Sequence, residues 1–176
     1  MVKEISSKYR NYSNNINTKE KLDADKKEKK VPRQKVVARD IEHLKKLIKK
    51  PIKEDGNKCD LNYIDVSHIE DMSYLFSGSK FCGDISKWNV SSVTNMSHMF
   101  YNKINKNNVE DELVNGELSK WDVSNVTNMN LMFYKSKFNG DISQWDVSNV
   151  IFMQSMFDGS AFNGDLSKWY KVSPQK

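Results

Sequence analysis

The chain has 176 residues, a net charge of +5 and 38% apolar residues, below the roughly 45–50% of an ordinary globular domain. Such a composition excludes a chain that is packed core throughout, and points to a folded part joined to a polar one. No apolar run reaches the length of about 18 residues that a membrane-spanning helix needs, and two cysteines are too few for a disulfide framework.

Charge divides the chain. Residues 1–58 carry 18 basic and 9 acidic side chains, whereas residues 59–176 carry 10 and 14. The net positive charge therefore belongs to the N-terminal third. Residues 1–35 read as a basic arm, rich in Lys, Asn and Ser and too poor in apolar residues to fold alone. Its run from Lys26 to Lys30 has the charge for nucleic acid or an anionic surface, but it lacks interleaved aromatics, so specific nucleic-acid binding is not expected. Met1 to Arg10 contains no apolar stretch of a secretory signal, and the first cysteine is Cys59. The expectation is therefore that the protein stays in the cytoplasm, is exported by another route, or has had a leader trimmed away.

Residues 36–58 read as a capping helix and linker. Ile41, Leu44, Leu47 and Ile48 make an apolar stripe at helical spacing. Asp40 at the start and Lys45, Lys46, Lys49 and Lys50 near the end suit the helix dipole, and Pro51 is expected to stop the helix.

Residues 59–169 repeat. Trp121, Trp145 and Trp169 are 24 apart, and Trp88 precedes Trp121 by 24 plus a nine-residue insertion. Met72, Met96, Met129 and Met153 fill a second column; Leu75, Met99, Met132 and Met156 fill a third. The unit is I-S-K-W-D-V-S-N-V-T-N-M-x-x-M-F-x-x-S-K-F-N-G-D. Copy one runs from Leu61 to Asp84, copies two to four start at Ile85, Leu118 and Ile142, and Leu166 to Trp169 opens a fifth. One copy cannot bury its apolar face alone, so copies are expected to share a continuous core. The Trp and Met columns are its natural contents.

Within a copy, Ile142, Trp145 and Val147 have the spacing of a leucine-rich-repeat strand. Val150, Met153, Met156 and Phe157 have that of a short amphipathic helix, with Ser91, Ser124 and Ser148 placed as N-caps. Phe138-Asn-Gly-Asp and Phe162-Asn-Gly-Asp are turns. The expectation is an α/β repeat solenoid: a leucine-rich-repeat-like right-handed coil of short parallel strands and short helices under an N-terminal helical cap. Residues 170–176 are too short for a closing helix, which predicts a weakly covered C-terminal end that either frays or stacks end to end on a second molecule.

Trp121 to Phe133 (W-D-V-S-N-V-T-N-M-x-x-M-F) and Phe138 to Trp145 (F-N-G-D-I-S-x-W) resemble the BspA-like leucine-rich-repeat surface proteins of bacteria, over residues 61–169. The resemblance implies surface display, adhesion and host-protein binding. In a leucine-rich repeat the outward side chains of a concave sheet form ladders. Here one would be Tyr63, Lys87, Lys120, Gln144 and Lys168, and the next Asp65, Asn89, Asp122 and Asp146. Such a mixed-charge surface would bind a polar protein or glycan, or would serve solubility through neighbour salt bridges. Ile151 and Phe152 depart from the Thr-Asn of copies two and three and should face outward, as a partner site or as a contact for the tail. The insertion within Tyr101 to Leu113 is either a recognition loop or tolerated drift.

No catalytic set appears. His43, His68 and His98 have no metal-ligand spacing, and Asp84, Asp141 and Asp165 read as turn formers. No cofactor and no metal are expected. Cys59 and Cys82 are 23 apart, so they are either close on adjacent copies or two separate small residues. The function expected is a non-enzymatic, adhesion-type module whose partner is a protein or glycan. The alternative is an intracellular scaffold or regulator that uses the basic arm.

Overall fold

A computed structural model describes residues 33–102 and 117–169. The basic arm up to residue 32, residues 103–116 of the insertion and residues 170–176 lie outside the described residues. The chain divides after Gln34, and Lys35–Lys176 is the unit that holds the repeats.

The expected coil of strands and helices is not formed. The described residues contain one helix, α1 (Ile41–Asp55), and one parallel pair of two-residue strands, β1 (Val36–Val37) and β2 (Ile64–Asp65). The copies are made of turns. In place of a helix over Val150 to Phe157, each copy has a left-handed residue after its first methionine: Tyr74, His98, Leu131 and Ser155, with φ between 54° and 60°. A positive φ at the third position of a tight turn ends any helical run. The amides then divide their bonds. Met132 and Tyr134 N–H donate back three residues, to Met129 and Leu131 C=O. Met129, Leu131, Phe133 and Lys135 N–H donate to Phe152, Gln154, Met156 and Asp158 C=O of the next copy. Copies one and two make the same four joints.

The expected strand is also a turn. Trp88, Trp121, Trp145 and Trp169 N–H donate three residues back, to Ile85, Leu118, Ile142 and Leu166 C=O. The side chains of Asp84, Asp141 and Asp165 accept the amide two residues on, a local bond that competes with strand pairing. Asp60 bridges to Asp84 here, and just before the methionines single parallel bridges link the copies: Asp71 to Asn95, Asn95 to Asn128 and Asn128 to Phe152. The second of these spans the insertion and keeps the register.

The core is continuous. Met72, Met96, Met129, Met99 and Met132 are fully buried, with Ile85, Leu118 and Phe133 beside them. Phe76, Phe100, Phe133 and Phe157 stack at 5.5–5.8 Å, one per copy. Each tryptophan Nε1–H donates to the carbonyl that opens the preceding copy: Leu61, Ile85, Leu118 and Ile142. A buried indole needs such a partner, and this bond explains why every tryptophan of the chain sits in one column.

Two glycine positions are dictated by close approach. A Cβ on Gly83 would lie 2.0 Å from Cys59 C=O, and one on Gly140 would lie 2.8 Å from the Phe138 ring folded over it.

At the N-terminal end, residues 36–59 stand where a preceding copy would. Val36 and Ala38 N–H donate to Tyr63 and Asp65 C=O, while Asn57 and Cys59 C=O accept from Cys82 and Asp84 N–H. Between those joints α1 replaces the turns, and its Leu44 and Ile48 enter the common core. Asp40 caps it by accepting the His43 amide at 2.7 Å. Pro51 does not stop the helix: it is buried within it, and the end comes at Gly56, whose φ of 83° allows its N–H to reach Ile52 C=O.

Candidate functional site

Identical turns place one residue of each type per copy, so Lys87, Lys120, Gln144 and Lys168 fall in one exposed row, with Tyr63 half-buried at its start. The pairing of Val36 with Ile64 sets Lys35 beside Tyr63 in the same row, where its ammonium lies 3.5 Å from Asp65. Lys35 went unnoticed in the sequence because it belongs to no repeat copy; only the register of β1 brings it in. Lys168 donates to the Gln144 side chain at 3.0 Å. Among the described residues, Lys87 and Lys120 form no ion pair.

The acidic row behaves differently. Asp65, Asn89, Asp122 and Asp146 each accept the amide of the serine two residues on, at 3.0–3.1 Å, and the Ser124 hydroxyl adds a bond to Asp122 at 2.6 Å. Hydrogen bonds from Ser124 and Ser148 hold the Asp122 and Asp146 carboxyls below the usual carboxylate range; the Ser67 amide and hydroxyl, followed by Lys35, do so for Asp65. Ser91, Ser124 and Ser148 are therefore partners in turns and cap no helix. No salt bridge joins the lysine row to Asp122 or Asp146 among the described residues. The Asp122 and Asp146 carboxylates are engaged locally, and Lys87 and Lys120 are exposed, with the Lys87 charge felt by the Asp84 carboxyl.

Ile151, Phe152 and Met153 form an exposed apolar patch on copy four, at 69%, 48% and 39% exposure. The methionine column is otherwise fully buried, so Met153 stands apart from Met72, Met96 and Met129. A further aromatic strip was not anticipated. Tyr74 stacks on His98 at 4.4 Å, His98 lies 5.5 Å from Tyr101, and Tyr101 stacks on Tyr134 at 5.1 Å, with Lys135 over the Tyr134 ring. These rings occupy variable positions beside the methionines. The signal available was that Tyr74 and His98 share a column, as do Tyr101 and Tyr134. Burial pushes the His98 imidazole below its ordinary value.

His43 lies on α1, His68 bonds to Ser67, and His98 stands in the aromatic strip. Among the described residues no three His, Cys, Asp or Glu side chains gather as metal ligands. Cys59 and Cys82 are not joined in a disulfide, although the Cys82 and Asp84 amides bond to Asn57 and Cys59 on the neighbouring segment. No helix among the described residues is long and apolar enough to cross a membrane.

No curated protein and no solved structure matches the chain. One protein-family model does, over residues 42–169, from the start of α1 to the last tryptophan. With its repeats and their turn-built joints covered by that match, the chain belongs to the family described as Mycoplasma protein of unknown function, DUF285.

Proposed function

We propose that the chain is a non-enzymatic interaction module of the BspA-like surface type, which holds a protein or glycan partner along its lysine row. The observation that carries this reading is that Lys87 and Lys120, at matching positions of copies two and three, form no ion pair among the described residues, on turns that the core fixes. An ammonium with no ion pair to break is available to a partner's carboxylates, sulfates or hydroxyls, and a periodic row of them favours an extended partner. Charge of this kind sets the rate and orientation of association more than it adds affinity. The neighbouring Asp and Asn side chains accept the amides of their own serines and so hold the row's backbone in shape; of them, Asp65 pairs with Lys35.

The test is binding of the full chain to arrayed neutral and acidic glycans and to extracellular-matrix proteins, alongside Lys87→Glu/Lys120→Glu. The reading expects a partner whose affinity falls about tenfold or more in the variant, or roughly 1.4 kcal/mol, and falls with added salt. A partner held equally well by the variant would sink the lysine-row reading. Protease treatment of intact cells checks the surface role: a protein protected until lysis would remove it.

A further inference from the structure

We propose that the open edge of copy four is a two-fold dimer interface, closed by the same edge of a second copy of this chain and centred on Phe152. This is a different surface from the lysine row, and it rests on different observations.

The backbone supplies the first. Phe152 turns its own N–H and C=O inward: the amide donates to Thr127 C=O and the carbonyl accepts from Met129 N–H. The Ile151 N–H is also turned inward, to the same Thr127 C=O, but across each planar trans peptide the C=O and the following N–H point opposite ways, so Ile151 C=O and Met153 N–H face outward. Glu70, Thr94 and Thr127 C=O each accept an amide from the following copy. Ile151 C=O is the next in that series and accepts none among the described residues. Met72, Met96 and Met129 N–H each donate to the following copy, and Met153 N–H, the next, has no acceptor among the described residues. An outward C=O at 151 and an outward N–H at 153 are the two groups that an antiparallel strand pairs around a central residue. A second copy related by a two-fold axis at Phe152 would offer the same two groups in reverse order. Met153 N–H would then donate to Ile151 C=O of the second copy, and the reciprocal bond would form as well.

The side chains supply the second observation. In copies two and three, positions 94–95 and 127–128 are Thr-Asn, and these continue polar ladders: Thr94 and Thr127 hydroxyls donate to the preceding copy, and the Asn95 amide donates to Asp71. Copy four ends both ladders with Ile151 and Phe152, the most exposed large apolar residues of this edge together with Met153. No charged residue occurs from Val147 to Phe157, although charge is the usual protection of a free edge. At the other end of the repeats the matching edge of copy one is taken by residues 36–59, with β1 bonded to Tyr63 and Asp65, so the same edge is not repeated there. Edge four against edge four makes a closed isologous pair, and head-to-tail growth is the outcome the experiment distinguishes from it.

Sedimentation of the full chain tests this, beside Ile151→Thr/Phe152→Asn. That variant restores the residues of copies two and three, so it keeps a sequence the fold already accommodates. The wild type is expected at twice the 20.5 kDa of one chain and the variant at that of one chain. A monomeric wild type, a dimeric variant, or a mass that climbs beyond two chains with concentration would each overturn the proposal. Phe152→Cys provides an independent reading. Residues facing each other across such a pair have Cα atoms about 4.5 Å apart, within disulfide reach. Mild oxidation should join two chains through the introduced thiols, as read by mass spectrometry of the linked peptides. Failure to link, in a variant that still sediments as a dimer, would overturn the two-fold geometry.

Discussion

At one end of the repeats, Leu44 and Ile48 of α1 lie within the core, and β1 takes up the carbonyls of Tyr63 and Asp65. At the other end, Ile151, Phe152 and Met153 face solvent, and the amide of Met153 has no acceptor among the described residues. The same unit therefore occurs with a full neighbour on both sides, as in copies two and three, and, in copy four, with only Leu166 to Trp169 beyond it among the described residues. In an array of this kind stability is close to a sum of units and of the joints between them. The difference between the ends then measures what one joint contributes, because the residue types are held nearly constant.

The methionine column gives the sharpest version of that measurement. Met129 is fully buried between copies two and four, and Met153 is 39% exposed. Met129→Ala should cost about 2–5 kcal/mol, as transfer loss plus a cavity. Met153→Ala should cost less than about 1 kcal/mol in the monomer, because solvent already reaches it and no closed cavity is left. Urea unfolding of both variants, with Phe152→Asn added to keep the chain monomeric, reads the contrast. Equal costs would mean that the last edge is covered in solution by something other than a second copy.

A smaller effect is expected at the closed end. Asp40 accepts the His43 amide and so satisfies one of the orphan donors of α1. Asp40→Ala should lower stability by about 1 kcal/mol, and Asp40→Ser should recover most of it. If the alanine change is silent, the helix is held by Leu44 and Ile48 alone, and the end is closed by packing without its cap.

The core was legible in the sequence because it depends on composition at fixed spacing. Trp88, Trp121, Trp145 and Trp169 could be placed in the interior from their 24-residue period alone. The local backbone was not legible. Val150, Met153, Met156 and Phe157, spaced three, three and one, fit one face of a helix and fit successive three-residue turns equally well. What decides between them is the positive φ at Tyr74, His98, Leu131 and Ser155, and none of those residues announces it, since none is glycine or asparagine. The strain is sustained because every second amide finds a carbonyl on the next copy, which no single copy's sequence can reveal. The polar rows were half legible. Their positions followed from the period, but the Asp row reads as surface charge until its hydrogen bonds to the serine two residues on are seen. Asn89, standing in the same column as Asp65, Asp122 and Asp146, was the sign that the column needs an acceptor oxygen more than a charge.

That last point predicts the smallest effect and fixes its sign. The Ser124 and Ser148 hydrogen bonds hold Asp122 and Asp146 below the usual carboxylate range in the folded chain. A depressed folded value means that the folded state binds the proton less readily than the unfolded one. The stabilisation is therefore fully present above the unfolded value of about 3.9 and disappears as pH falls through the folded values. Asp122→Asn/Asp146→Asn keeps the acceptor oxygens, as Asn89 does at 3.1 Å to the Ser91 amide, and removes the titration. At neutral pH the double variant should differ from wild type by no more than about 0.5 kcal/mol, the range of ordinary surface changes. Between neutral pH and acid its melting temperature should fall less steeply than that of wild type. Parallel acid profiles would show that the serine bonds have the same worth to the acid as to the carboxylate. The row would then be a purely geometric device, with its charge available to a partner after all.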